Sequence, residues 1–238
     1  MTDERNDKAG PRGPLWREIA ILLGVAIVVA ILVRTFLLQT FYIPSESMQP
    51  TLEVYDRVLV NKLVYRFREP HRGEIVVFRA PPEWRSNPSE KDFIKRVIAV
   101  GGDTVACCAP GNRLIVNGHP LDEPYLFRGA TGEPDPAAPM EFEAVVPAGR
   151  LWVLGDHRSW SGDSMDHYRA SRGDLEAATI SVDSVIGRAF LRYWPVGRIG
   201  WLSVPDEFDA VPDAAPPASV RPPERGRPAL AAVARPAL

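Results

Sequence analysis

From Ile19 to Val33 the chain runs for fifteen residues without a polar side chain; Arg34 and Thr35 interrupt the run, and Phe36-Leu37-Leu38 continue it. Fifteen helical residues rise about 22 Å, short of a hydrocarbon core of about 30 Å, whereas the twenty from Ile19 to Leu38 rise about 30 Å. The pattern predicts a single transmembrane helix at residues 15–38, with Arg34 reaching the headgroups from one end. A buried core helix would show a polar face somewhere, and this run has none. A removed leader needs small residues in an A-x-A-like arrangement after its apolar run, and residues 34–42 are bulky throughout. Arg5, Lys8, Arg12 and Arg17 precede the run, and after Arg34 the next basic residue is Arg57. By the positive-inside rule the N-terminus lies in the cytoplasm and everything after residue 39 lies outside it.

Beyond residue 39 the apolar runs become short and β-branched. Candidate strands are 57–64, 74–78, 92–100, 114–116, 151–154 and 185–194, most of them stopped by Gly, Pro or Asp. Asn117-Gly118 after Val116 is a hairpin turn signal. The fold class expected is mainly β: one N-terminal transmembrane helix followed by an antiparallel β-sheet domain at 39–204. Residues 107–148 read as an inserted lobe, with a long Gly-, Pro- and Ala-rich surface loop at 128–141. Residues 1–14 are polar and expected to be disordered, and so is the Pro/Ala-rich stretch 205–238.

Composition narrows the function. Of 238 residues, 28 are Lys or Arg and 30 are Asp or Glu, so no basic excess is available to neutralise a nucleic acid backbone. Proline, at 24, is about twice its average usage, which disfavours a helical bundle. Two cysteines, the adjacent Cys107 and Cys108, cannot make a disulfide scaffold or an all-cysteine zinc site. They could be two thiols or a bond between neighbours. The acidic and histidine residues Asp156, His157, Asp163, Asp166 and His167 follow no metal-ligand spacing, and neither metal nor cofactor is expected. There is no H-E-x-x-H, G-x-S-x-G, S-x-x-K or phosphate-binding loop.

Two places could carry chemistry. Ser45 and Ser47 sit between Pro44 and Pro50, either as turn residues bonding local backbone or as reactive hydroxyls. Lys95 sits in a strand among Phe93, Ile94, Val97 and Ile98, with Phe93 and Val97 on its own face. It is either a lysine on a solvated face or an amine against apolar surface, where desolvation lowers its pKa and frees it to accept a proton.

Taken in order, these segments resemble the bacterial type I signal peptidases, membrane-bound Ser/Lys proteases, over residues 15–202. Ile43-Pro44-Ser45-Glu46-Ser47-Met48-Gln49-Pro50-Thr51-Leu52 is similar to the family's serine box. Arg72-Gly73-Glu74-Ile75-Val76-Val77-Phe78 resembles its R-G-D-I-V-V-F strand, and Lys95-Arg96-Val97-Ile98-Ala99-Val100-Gly101-Gly102-Asp103 its lysine box. Gly155-Asp156-His157-Arg158-Ser159-Trp160-Ser161-Gly162-Asp163-Ser164 resembles the last box, G-D-N-R-x-x-S-x-D-S.

The resemblance implies that Ser47 is the nucleophile and Lys95 its general base. Ser45 then lends a hydroxyl to the oxyanion hole and Ser161 orients the lysine. Phe41, Ile43, Pro44, Phe93 and Ile94 line the substrate pockets, and Arg96, Asp156, Arg158 and Asp163 are structural charges. Implied partners are preprotein signal peptides ending in an A-x-A-like pattern and the lipid bilayer, with the peptidase domain outside the cytoplasm. Trp194, Trp201 and Phe190 are either headgroup contacts or ordinary β-core. Four departures stand out: Ala99 for a usual Gly, Gly101 for a frequent Pro, His157 for Asn, and Met165 where an Arg is expected. With the last, an acid–Arg pair around Asp163 is either absent or made with Arg158, Arg96 or Arg169, and an inactive anchored binding module becomes the alternative reading.

Overall fold

The computed structural model describes residues 15–32 and 37–214. The expected polar N-terminus, residues 33–36 of the expected span and the tail from 215 lie outside the described residues. A helix, α1 (Leu15–Leu32), is followed by twelve strands and two short helices. The strands are β1 (Leu38–Tyr42), β2 (Arg57–Asn61), β3 (Ile75–Arg79), β4 (Asp92–Val100), β5 (Thr104–Ala109), β6 (Arg113–Val116), β7 (His119–Pro120), β8 (Phe142–Val145), β9 (Arg150–Leu154), β10 (Ile180–Ser181), β11 (Val185–Trp194) and β12 (Gly200–Trp201). The helices α2 (Ser164–Ala170) and α3 (Leu175–Ala178) lie between β9 and β10.

The strands form two antiparallel sheets. The larger runs β1-β2-β11-β3-β4-β9-β10, with β12 on β11; the smaller runs β7-β6-β5-β8. β4 lies inside the larger sheet, with Val76 opposite Lys95 on β3 and Leu154 opposite Arg96 on β9. From Ile94 to Ala99 every residue is buried, because both flanks of this strand are paired and both faces are packed. The smaller sheet is the expected lobe, its ladder beginning at Thr104. Asn117 and Gly118 both take positive φ, as the tight turn before β7 requires. Asn117 also ties the lobe to its base, its Oδ1 accepting from the Thr104 N–H and its amide donating to Asp103.

Three corrections follow. The expected span cannot continue to Leu38, because Leu38 opens β1 and pairs with Asn61. Among the described residues no helix is long and apolar enough to cross a membrane. α1 has eighteen residues and a rise of about 27 Å, and its first turn spends length on Trp16, Arg17 and Glu18. The disorder expected from 205 does not begin there: Asp206–Ala210 form a 3-10 helix, and Phe208 and Val211 are buried in the core beside β5, β8 and α2. Only two large apolar groups are needed to order so short a stretch against a surface already built. Trp194 and Trp201 are not core residues; they stand 49% and 74% exposed.

Candidate active site

Ile43, Met48 and Leu52 of the serine box are fully buried against Val58, Val60, Val77 and Ile94. These three apolar side chains pin a tight turn that would otherwise be solvated. The turn is closed by backbone bonds from Ile43 N to Asp56 O, Tyr55 N to Ile43 O, Gln49 N to Glu46 O and Leu52 N to Met48 O. From the far side, Arg192 donates to Thr51 O at 2.5 Å, and the Thr51 hydroxyl donates to Asp156.

The box lies across the end of β9. Gly155 follows that strand, and a Cβ there would fall 2.4 Å from both Ser47 O and Ser161 Oγ, so only glycine admits the close approach. The next N–H but one, that of His157, donates to Ser47 O at 3.1 Å. This packing presents Ser47, 6% exposed, to Lys95, 4% exposed. Lys95 Nζ and Ser47 Oγ lie 2.7 Å apart. Burial pushes the lysine down to about 8, opposed by the nearby carboxylates of Asp163 and Asp156. The solvated-face reading of Lys95 is thereby overturned.

Ser45 Oγ lies 3.4 Å from Ser47 Oγ on the exposed side of the turn. The Ser161 Oγ is buried beside Gly155, next to the Asp163 carboxylate, and makes no hydrogen bond to Lys95. The open cleft over the pair is lined by Pro44, Phe93 and Ile94, and also by Trp84 and Trp160. Ile43 lies beneath this surface, and Phe41 packs with it against the serine-box core.

The four charges hold the frame. Arg96 forks onto Asp156 through Nε at 2.9 Å and Nη2 at 2.7 Å, both residues almost fully buried. Arg158 pairs with Glu123, which the lobe supplies, and Arg169 with Asp166. None of the three arginines named as substitutes pairs with Asp163. That carboxylate instead accepts the Gly155 N–H at 2.9 Å and caps α2 through the Met165 N–H at 3.0 Å. Burial raises its pKa, opposed by the Gly155 bond and the Lys95 charge. Met165 is buried in the core, so the missing arginine is replaced by apolar packing and a helix cap.

The remaining candidate metal ligand, His167, stacks on Trp84 with ring centroids 4.4 Å apart. Cys107 and Cys108 are joined as a disulfide in β5. Sequence reasoning missed Trp84, Trp160 and Glu123 at or near the site, since nothing local distinguishes them from core and loop residues. His157 did carry a signal, as a departure from the expected Asn.

Residues 16–194 match the family described as Signal peptidase, peptidase S26. The chain is 41% identical to a probable signal peptidase I of Mycobacterium leprae, the match covering 79% of each chain. It is 42% identical to signal peptidase I of Mycobacterium tuberculosis over 77% of this chain and 74% of that one. It is 39% identical to a probable signal peptidase I-2 of Synechocystis, covering 86% and 85%.

Proposed function

Because this chain belongs to the signal peptidase family, peptidase S26, we propose that Ser47 and Lys95 are the pair with which it cuts signal peptides from preproteins. The chain is a signal peptidase I. The observation carrying the assignment of its catalytic pair is the buried 2.7 Å contact between Lys95 Nζ and Ser47 Oγ.

The reaction follows from that contact. Neutral Lys95 takes the Ser47 hydroxyl proton as Oγ attacks the scissile carbonyl carbon. The carbonyl oxygen becomes an oxyanion facing the Ser47 N–H and the Ser45 hydroxyl, where one donor is worth about 3–4 kcal/mol. The lysine ammonium then protonates the leaving amine, the C–N bond breaks, and an ester remains on Ser47. Lys95 deprotonates water, which attacks the ester and frees the serine.

Small side chains one and three positions before the cut fit a shallow cleft over Pro44, Phe93 and Ile94, narrowed by Trp84 and Trp160. An extended substrate would add as a strand near Ile43 and Phe93. We also propose that Ile19–Leu32 anchors the chain in the bilayer together with residues 33–36, N-terminus in the cytoplasm, as the flanking charges indicate. Trp194, Val196, Ile199 and Trp201, all about half or more exposed, suit an interfacial rim beside such an anchor. The binding-module alternative finds no support in Met165, whose burial leaves the pair intact.

The test is cleavage of an A-x-A precursor in detergent across pH 6–10. Lys95 must be neutral to act and its pKa is about 8, so kcat/KM is expected to climb tenfold per pH unit below 8 and level off above it. At pH 6 activity should be about 1% of the plateau. A profile flat from pH 6 to 10, or cleavage unaffected by Ser47→Ala, would remove the assignment.

A further inference from the structure

We infer that His157, seated against Phe127, is a positioning residue that aims the Ser47 backbone N–H as an oxyanion donor. This rests on the reading that Ser47 is the nucleophile. Both carbonyls flanking the Ser47 Cα bond to this one residue: its main-chain N–H donates to Ser47 O at 3.1 Å, and its ring Nδ1 lies 3.3 Å from Glu46 O. A carbonyl oxygen only accepts, so Nδ1 carries the hydrogen in this bond.

The Glu46–Ser47 peptide is trans. In a planar trans peptide the carbonyl oxygen and the following N–H point to opposite sides. Holding Glu46 O from the His157 side therefore turns the Ser47 N–H the other way. The turn's own bond from Gln49 N reaches the same oxygen at 3.0 Å, but it moves with the turn. The ring is the contact from outside it.

The ring is itself fixed. It is buried, 9% exposed, and stacked on Phe127 with centroids 3.9 Å apart. Its Nε2 lies 3.9 Å from Asp135 Oδ2, beyond hydrogen-bond reach, so the stack on Phe127 is what seats the ring. Asp135 does not drift, because its carboxylate accepts the Ser159 N–H and hydroxyl at 2.9 Å each, and its own N–H donates to Phe127 O at 2.8 Å. Phe127 in turn donates its N–H to Asp156 O at 3.0 Å. The loop at 127–135, which has no catalytic side chain of its own, thus bears on the serine box through one imidazole. Asn Nδ2 and His Nδ1 are attached at the same point along the side chain, so Asn can offer a donor in the same place and Leu cannot.

The experiment uses the full chain in detergent, comparing wild type with His157→Leu, His157→Asn, Phe127→Leu and, as control, Ser47→Ala. It reads kcat, KM and the affinity of a peptide aldehyde whose serine adduct carries the oxyanion. Deleting an oxyanion donor costs about 10²–10³-fold in kcat, and misaiming one should cost on the order of 30-fold. His157→Leu is expected to lose that factor in kcat and in aldehyde affinity, with KM unchanged. His157→Asn should recover most of the loss, and Phe127→Leu should lose several-fold in kcat alone.

A kcat for His157→Leu near wild type overturns the inference, and so does an Asn variant as impaired as the Leu one. Should His157→Leu fail to fold, Phe127→Leu, which removes the ring's stacking partner, decides: unchanged kcat overturns the inference, and a fall in kcat without a change in KM supports it. If Ser47→Ala retains activity, the underlying reading fails; if it is dead while His157→Leu is fully active, only this inference fails.

Discussion

Lys95→Met is expected to abolish cleavage and to make the folded protein more stable at pH 7. The loss in kcat/KM should reach about 10⁴-fold or more, the upper end for general acid–base catalysis, because one amine serves attack, leaving-group protonation and deacylation. Ser47→Ala should cost a comparable factor. The double variant should be no worse than either single one, since a nucleophile without its base and a base without its nucleophile are equally idle. The stability effect has the opposite sign. The Lys95 pKa falls from 10.5 unfolded to about 8 folded. Between those values the unfolded chain holds a proton that the folded chain lacks, so wild-type stability rises with pH across the window. Below pH 8 the cost of burying the ammonium is fully present. Removing it should stabilise the Met variant by on the order of 1–3 kcal/mol, the upper figure being the whole shift and the lower allowing for the unpaired Ser47 hydroxyl. The gain should fade as pH approaches 10.5. Urea unfolding at pH 7 and pH 10 measures it; a Met variant less stable at both would show that Lys95 is not held against its burial cost.

This opposition explains what could be read along the chain. β4 and β11 occupy residues 92–100 and 185–194, the bounds their β-branched runs predict; β4 is buried nearly throughout because both its faces are packed, whereas β11 is mostly half-buried. A lysine inside such a run is conspicuous. The serine box was legible through its prolines and resemblance. β1 was not, since Leu38-Gln39-Thr40-Phe41-Tyr42 continues an apolar helix run and becomes a strand only through pairing with β2. β5 was missed because Ala106, Cys107 and Cys108 carry weak strand preference and are ordered by partners on both sides, β6 and β8. Phe208 and Val211 sit in a proline-rich context that reads as tail, and only the groove they fill makes them core. The role of Ser161 is less legible. Spacing places its hydroxyl beside Gly155, while its direction is set by the turn after β9, which spacing does not encode.

Arg96→Met is expected to destabilise the fold by about 3–5 kcal/mol, the usual cost of leaving one partner of a buried ion pair alone. Asp156 would then keep only the Thr51 hydroxyl among the side-chain donors it now has. In a domain of this size such a loss lowers Tm by roughly 10 °C. Arg96 also donates to Gly73 O at 2.9 Å and lies 4.0 Å over the Tyr125 ring, so one guanidinium joins β4, the serine box, the lobe and the turn before β3. Lysine offers no fork and no flat face, and Arg96→Lys should recover little. Asp156→Asn should cost a similar amount by stranding the guanidinium, and Arg96→Met with Asp156→Asn should be less harmful than the sum of the two. A double-mutant cycle in urea measures that coupling, and a coupling near zero would mean that the pair is incidental to the fold. Activity at a temperature where every variant is folded separates frame from chemistry. The Arg96 side chain bonds to Asp156 and Gly73 O rather than to Ser47 or Lys95, so at low temperature the variants should recover kcat in proportion to how well Asp156 still holds Thr51. If kcat stays lost in a fully folded Arg96→Met, the pair governs the placement of the serine turn as well as the stability of the sheet.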